Sequence, residues 1–436
     1  MKNIIYNTTR QWNCGDEFIL RGCINIMESV VGPHNPIIYN RNPDVRPANG
    51  SEIFYRNEKL PLNYEDGNQK KLGALYRYGF NDNSVKFNSD LSFVDYAVFA
   101  GSPEWTSSRC DNFYYHIIKN QIPAIFLGIG SKYNTDIPLF MSEVIKKNVF
   151  FSFRSEELLS DSFDCCYLPC PALQAIKIGQ ERKIKSVNSI GLVFQSNYEK
   201  SVRCQCISDE TYKYQIKLYN SIINHFSEKK NYIIVHYIDE LNDAIKLFKN
   251  QNCEVLYSYD SKDYVDIYRR VDFVISTRVH GCGISSSLGI PNFVIAHDDR
   301  ADTTKGFLSH VIEVNSNIDE VIKRIEVEFA IVDSLNEKII ENKKRVFIQY
   351  KRSLVKVINK KADYGKNFIN KTSQFNRVLE LDKNGFSEEN RHFTEIINQY
   401  KEGYKKYFMY RVLTKLHSLF TKAKSKFKFS YGFTNL

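Results

Sequence analysis

The chain reads as an α/β protein of two Rossmann-like halves followed by a helical, basic C-terminal extension. Three observations predict this. Short apolar runs rich in β-branched residues recur from Lys2 to Val314, and segments of helix length separate them, the pattern of parallel strands joined by crossover helices. A polar, charged stretch between Ala175 and Val187, IKIGQERKIKS, interrupts the series and reads as a linker, which sets the halves at 1–178 and 188–330. Beyond 331 no strand pattern returns, and apolar residues take near-helical spacing, so 331–436 reads as the extension.

Taken in order, Lys2 to Tyr6 is the first strand and Asn7 to Asn13 a polar loop. Phe18, Ile19, Gly22, Cys23, Ile26 and Met27 then recur at helical spacing. Further strands are expected at Val94–Ala100, Ala124–Leu127, Val149–Phe153 and Cys165–Leu168. Loops holding Gly101, Gly130 and Arg154 follow three of them, on the edge where such sheets bind ligands. The glycines there read either as turn residues or as places where backbone approaches a ligand. In the second half the expected strands are Ser189–Phe194, Tyr232–His236, Glu254–Tyr257, Val271–Ile275, Phe293–Ala296 and Val311–Val314. The helix Asp209–Phe226 places Ile216, Tyr219, Ile223 and Phe226 on one stripe facing the sheet.

Composition narrows the function. With 43% hydrophobic and 14% aromatic residues, the 436-residue chain is not broadly disordered. Its ten cysteines include no CxxC pair, and Cys165 and Cys166 are adjacent, so reduced thiols and no metal site are expected. No apolar stretch reaches the length of a bilayer span, and the expected location is the cytosol. Of the net charge of +10, a balance of +8 lies in Lys401–Leu436, with nine Lys or Arg against Glu402. The body is nearly neutral, which argues against general nucleic-acid binding.

The most informative stretch is Val271 to Pro291, VDFVISTRVHGCGISSSLGIP. A buried strand ends in Arg278 and His280. Gly281 and Gly283 then allow a tight turn and a close ligand approach, and a helix N-terminus opens where the arginine and histidine sit. Free N–H groups, a positive dipole end and a guanidinium outline an anion site. His280 reads as a proton-transfer group or as a residue capping the helix start. His236 ends a strand, with Asp239 three residues on, and reads as a functional or a satisfied structural histidine.

This stretch, with Lys305-Gly306-Phe307 after it and Asn13-Cys14-Gly15-Asp16-Glu17 near the N-terminus, resembles the polysaccharide pyruvyl transferase family. The resemblance covers roughly residues 1–308 and implies two facing Rossmann-like domains in a GT-B arrangement. It further implies transfer of the pyruvyl group of phosphoenolpyruvate, a donor substrate requiring no cofactor, onto two sugar hydroxyls as a ketal. The acceptor would be a glycan or lipid-linked oligosaccharide precursor of a surface polysaccharide such as capsule or exopolysaccharide. Arg278 and Lys305 are then the donor-binding candidates, Arg154 closes on the donor from the first half, and His280 moves protons. Asn13, Gly15 and Asp16 fall at the acceptor or donor edge, although Asp16 also suits a helix cap. Gln195 stands where many family members carry an arginine, and it supplies a hydrogen bond without a charge. The alternative is a GT-B glycosyltransferase using a nucleotide sugar, which also needs a helix N-terminus and an arginine at a diphosphate.

In the extension, Phe393, Ile396, Ile397, Tyr400, Tyr404, Tyr407 and Phe408 keep helical spacing with lysines between them, and TKAKSKFKFS follows Phe420. Residues before Leu413 are expected to pack as a terminal helix. From Lys415 onward the expectation is contact with an anionic membrane surface at the inner face.

Overall fold

The computed structural model describes residues 1–8, 14–40, 91–101, 111–131, 139–197, 207–258 and 261–364. Asn13 and the tail residues from 365 onward lie outside the described residues.

The first sheet contains β1 (Lys2–Thr8), β2 (His34–Asn40), β3 (Tyr96–Ala100), β4 (Ala124–Ile129), β5 (Phe150–Phe153) and β6 (Cys166–Tyr167). Its described helices are α1 (Cys14–Val31), α2 (Asp111–Lys119) and α3 (Leu139–Lys146). Every strand pair is parallel, in the order β2-β1-β3-β4-β5-β6. The sequence reading lacked β2, HNPIIYN, because its proline and asparagines hide the strand pattern. Pro36 is tolerated because β2 is an edge strand. All residues of β3 and β4 are buried, as strands covered on both faces must be. Phe99, Phe126 and Phe151 stack across three neighbouring strands, with centroids 4.2 Å and 4.7 Å apart. Truncating Phe126 there would cost about 3–5 kcal/mol.

The second sheet contains β7 (Ser189–Phe194), β8 (Lys230–Val235), β9 (Glu254–Leu256), β10 (Phe273–Ser276), β11 (Asn292–Ala296) and β12 (His310–Glu313). It too is wholly parallel, ordered β12-β11-β10-β7-β8-β9. Helices α4 (Asp209–His225), α5 (Ile238–Phe248), α6 (Tyr264–Tyr268), α7 (Val279–Ser287) and α8 (Ile318–Ala330) alternate with these strands. The start of α4 is set by Ser208, whose Oγ accepts from Thr211 N at 3.1 Å. Its buried stripe includes Leu218, Tyr219, Ile222 and Ile223, close to the predicted face.

The fold is α/β, with two Rossmann-like halves in a GT-B-like arrangement. Strand order reverses between β1 and β3 in one sheet and between β7 and β10 in the other. Crevices at such reversals are where α/β sheets bind ligands. The helix α9 (Val332–Val355) then packs back on α1 and α7. Tyr350 OH donates to Pro169 O at 2.7 Å in the first half, and Asn336 donates to Arg182 O at 2.9 Å beside the second. The connecting stretch around Glu181 is therefore anchored. Fully buried Lys343 on α9 donates to Glu181 Oε1 at 2.6 Å and to Ser287 O at 2.8 Å.

Candidate active site

The two strand-order reversals converge. After β1 the chain enters α1 at Cys14, and after β10 it enters α7 at Val279, so each crevice contributes a helix N-terminus. These ends touch. A Cβ on Gly15 would lie 2.4 Å from His280 Nδ1, so only glycine leaves room there for the imidazole. His280 occupies the first turn of α7, and its Nε2 is buried with no hydrogen-bond partner among the described residues. A buried histidine nitrogen left so calls for a partner that the described residues do not supply.

Behind it stands Arg154, one residue past β5, with its backbone N–H on Ile129 O at 3.1 Å. Its side chain lies across Gly130, where a Cβ would come within 2.3 Å of the guanidinium carbon. Arg154 is 3% exposed, and its Nε and Nη1 lack partners among the described residues. A buried guanidinium with no counter-charge is unfavourable by several kcal/mol, and an anion in the site removes that penalty.

Arg278 is differently placed. It is the N-cap of α7, held by Ser276 Oγ, which accepts from Arg278 N at 2.9 Å and donates to Arg278 O at 2.8 Å. Its guanidinium donates to Glu240 and lies 4.4 Å from the Tyr237 ring centroid. Glu240 is fully buried and also accepts from Ser196 N at 3.1 Å. The sequence reading made Arg278 a donor-binding candidate; here its guanidinium is one half of an internal ion pair with Glu240.

Burial, and then the charges of Arg154, Arg300 and Arg278, hold His280 well below the usual histidine range. At neutral pH it is uncharged. Arg300 is near enough for its charge to disfavour a proton on His280, and its Nε donates to Asp298 at 2.8 Å. His297, just past β11, faces the same edge, with Nε2 donating to Thr277 O at 2.9 Å. Burial also lowers His297, opposed by Asp298.

A family model described as polysaccharide pyruvyl transferase matches residues 13–299, which span both helix N-termini, Arg154, Arg278 and His280. The chain belongs to the polysaccharide pyruvyl transferase family. No curated protein matches it. Among solved structures, the Neisseria meningitidis UDP-GlcNAc 2-epimerase bound to UDP-GlcNAc is similar at 12% identity and a TM-score of 0.44, over 81% of this chain and 100% of that one. Acinetobacter baumannii MurG is similar at 9% identity and a TM-score of 0.41, over 82% and 99%.

The remaining candidates of this pyruvyl transferase family member divide clearly. Asp16 is buried in the first turn of α1, two residues inside the helix and not at its cap, and its charge reaches Cys14 together with those of Arg278 and Glu240. Gln195 is buried past β7. Its backbone N–H and C=O are both bound by the Gln215 side chain, at 3.1 Å and 2.9 Å, and Gln215 also accepts from Thr277 Oγ1 at 3.1 Å. His236 donates to or accepts from Tyr268 OH at 2.8 Å and packs against the Tyr264 ring. It is lowered by burial and then by Arg278 and His280.

One glycine reading is corrected. Gly281 sits inside α7, where a Cβ would meet Ser276 Oγ at 2.4 Å, so it serves the packing of the helix start and not a tight turn. Gly101 is pressed on Gly128 O, at 2.4 Å from its would-be Cβ. Lys305 is not gathered with the others. Its side chain is 70% exposed, 2.6 Å from Asp302, and lines a groove with Tyr167, Pro169 and Arg345. Tyr237, Glu240, His297 and Arg300 were missed by sequence reading. His297 and Tyr237 had one usable signal, their place just beyond strand ends. Glu240 looks like any acid favoured in a helix first turn. Among the described residues no helix is long and apolar enough to cross a membrane.

Proposed function

We propose that this transferase moves the pyruvyl group of phosphoenolpyruvate onto two hydroxyls of a surface-glycan precursor, forming a ketal and releasing phosphate. The observation that carries the reading is the pair Arg154 and His280 at two abutting helix N-termini: among the described residues, a buried guanidinium without a counter-ion and a buried imidazole nitrogen without a partner. The donor carries about three negative charges. Arg154 answers one group bidentately, Arg278 borders the other, and the helix ends receive the phosphate oxygens.

The chemistry then follows from charge. At rest His280 is neutral, because burial and three arginines disfavour its proton. A bound trianion reverses that balance, and His280 takes up a proton. It delivers this proton to the enol methylene, making C2 electrophilic, and recovers one from the first attacking hydroxyl. When the C2–O bond to phosphate breaks, His280 protonates the leaving group and takes the proton of the second hydroxyl. The proton taken up on donor binding ends on the new methyl group, that of the first hydroxyl leaves with phosphate, and that of the second hydroxyl is left on His280 to be returned to solvent, so the step balances. Arg300, whose charge is felt at His280, adds to the positive field there, whereas Lys305 is exposed and paired with Asp302.

The test is direct. Phosphoenolpyruvate should raise the melting temperature of the wild type but not of Arg154→Ala, and glycans from cells carrying the gene should gain the mass of one pyruvyl ketal. Stabilisation by a nucleotide sugar and not by phosphoenolpyruvate would replace this reading with a glycosyltransferase.

A further inference from the structure

Three neighbouring strands, β10, β7 and β8, each send a residue to the same point two positions beyond their ends: Arg278, Ser196 and Tyr237. Glu240, from the first turn of α5, is what they meet around. Its carboxylate is fully buried, accepts from Ser196 N at 3.1 Å and from the Arg278 guanidinium, and the Tyr237 ring covers the guanidinium face at 4.4 Å. Arg278 thus has its orientation fixed on two sides and its charge matched.

Arg154 offers the contrast. It is buried with no counter-ion among the described residues, so the positive charge that an incoming anion finds comes from Arg154, while Arg278 contributes geometry. If Arg278 were also unmatched, an anion at these two helix N-termini would meet two uncompensated guanidinia. Such a site holds phosphate too tightly to release it.

We propose that Glu240 sets how tightly the site holds its anion: it positions Arg278 and cancels its charge, so that phosphate formed in the site can leave. This rests on the donor reading above. It also makes a prediction whose sign is opposite to that of simple damage. Removing a buried negative charge near the anion strengthens anion binding, whereas loosening a binding site weakens it.

The experiment is titration calorimetry of inorganic phosphate, and separately of phosphoenolpyruvate, into the wild type, Glu240→Gln and Glu240→Asp. In Glu240→Gln the phosphate Kd should fall by about fivefold or more, while turnover drops and a burst of product precedes a slow steady state. Glu240→Asp keeps the charge but withdraws it from Arg278. Its phosphate Kd should stay within about twofold of wild type while kcat falls. Phosphate binding equal to or weaker than wild type in Glu240→Gln overturns the proposal, and so does tighter binding in Glu240→Asp. The second arm decides alone if the glutamine variant does not fold. A wild type that binds phosphate but not phosphoenolpyruvate sinks the donor reading and leaves the Glu240 comparison decisive; binding of neither overturns both.

Discussion

Gly15→Ala probes the meeting of the two helix N-termini without altering a charge or a hydrogen-bonding group. A Cβ built on Gly15 lies 2.4 Å from His280 Nδ1, 3.0 Å from its Cγ and 3.1 Å from its Cβ. Ordinary contact needs about 3.4 Å or more, so the imidazole must retreat by about 1 Å, since α1 is fixed by its buried face against the sheet. A displacement of that size at a proton-transfer group costs about 100-fold in rate. The assay is steady-state pyruvyl transfer from phosphoenolpyruvate, alongside calorimetric binding of the donor. The expectation is a kcat lowered by about two orders of magnitude, with donor affinity changed far less because Arg154 is untouched. A double-mutant cycle sharpens this: in a His280→Ala background, Gly15→Ala should have almost no further effect, because the clash has gone. Wild-type turnover in Gly15→Ala, or full additivity in the cycle, would refute the claim that Gly15 acts through the imidazole.

Three further outcomes are expected. Arg154→Met should raise the melting temperature in the absence of ligand, because a buried cation with no counter-ion among the described residues is replaced by an apolar chain of similar length, and should weaken phosphoenolpyruvate binding by about 100-fold; calorimetry and thermal melts read both. His236, His280 and His297 all have folded-state affinities for protons below that of the unfolded chain. Below about pH 6.5 the unfolded state therefore binds more protons, so stability present at neutral pH is lost as pH falls, and melts from pH 7.5 to pH 5 should show it; a flat profile contradicts the burial of these rings. Lys343→Met leaves Glu181 buried without its partner and should cost about 3–5 kcal/mol, whereas Lys343→Met with Glu181→Leu should recover most of that loss in chemical denaturation.

Much of this arrangement was legible in the sequence, and where it was not the causes are local. Arg278 and His280 could be placed because a buried strand must end before a charged residue, and a parallel sheet sends every such ending to one edge. The same logic located Arg154. What periodicity cannot show is which charges cancel. Glu240 lies 38 residues from Arg278 in sequence, and only the adjacency of β8, β7 and β10 brings them together. Lys305 and Arg300 make the point at closer range. Asp299–Phe307 is a run of 3-10 turns and not an α-helix. With three residues per turn, Asp302 and Lys305 stack on one side and pair outward. Arg300, five positions from Lys305, cannot share that side, and its charge falls on His280 instead. Counting a lysine a fixed distance past the glycine-rich turn therefore could not foresee that Lys305 pairs outward with Asp302, because the helical pitch was not readable from a segment as polar as DRADTTKGF.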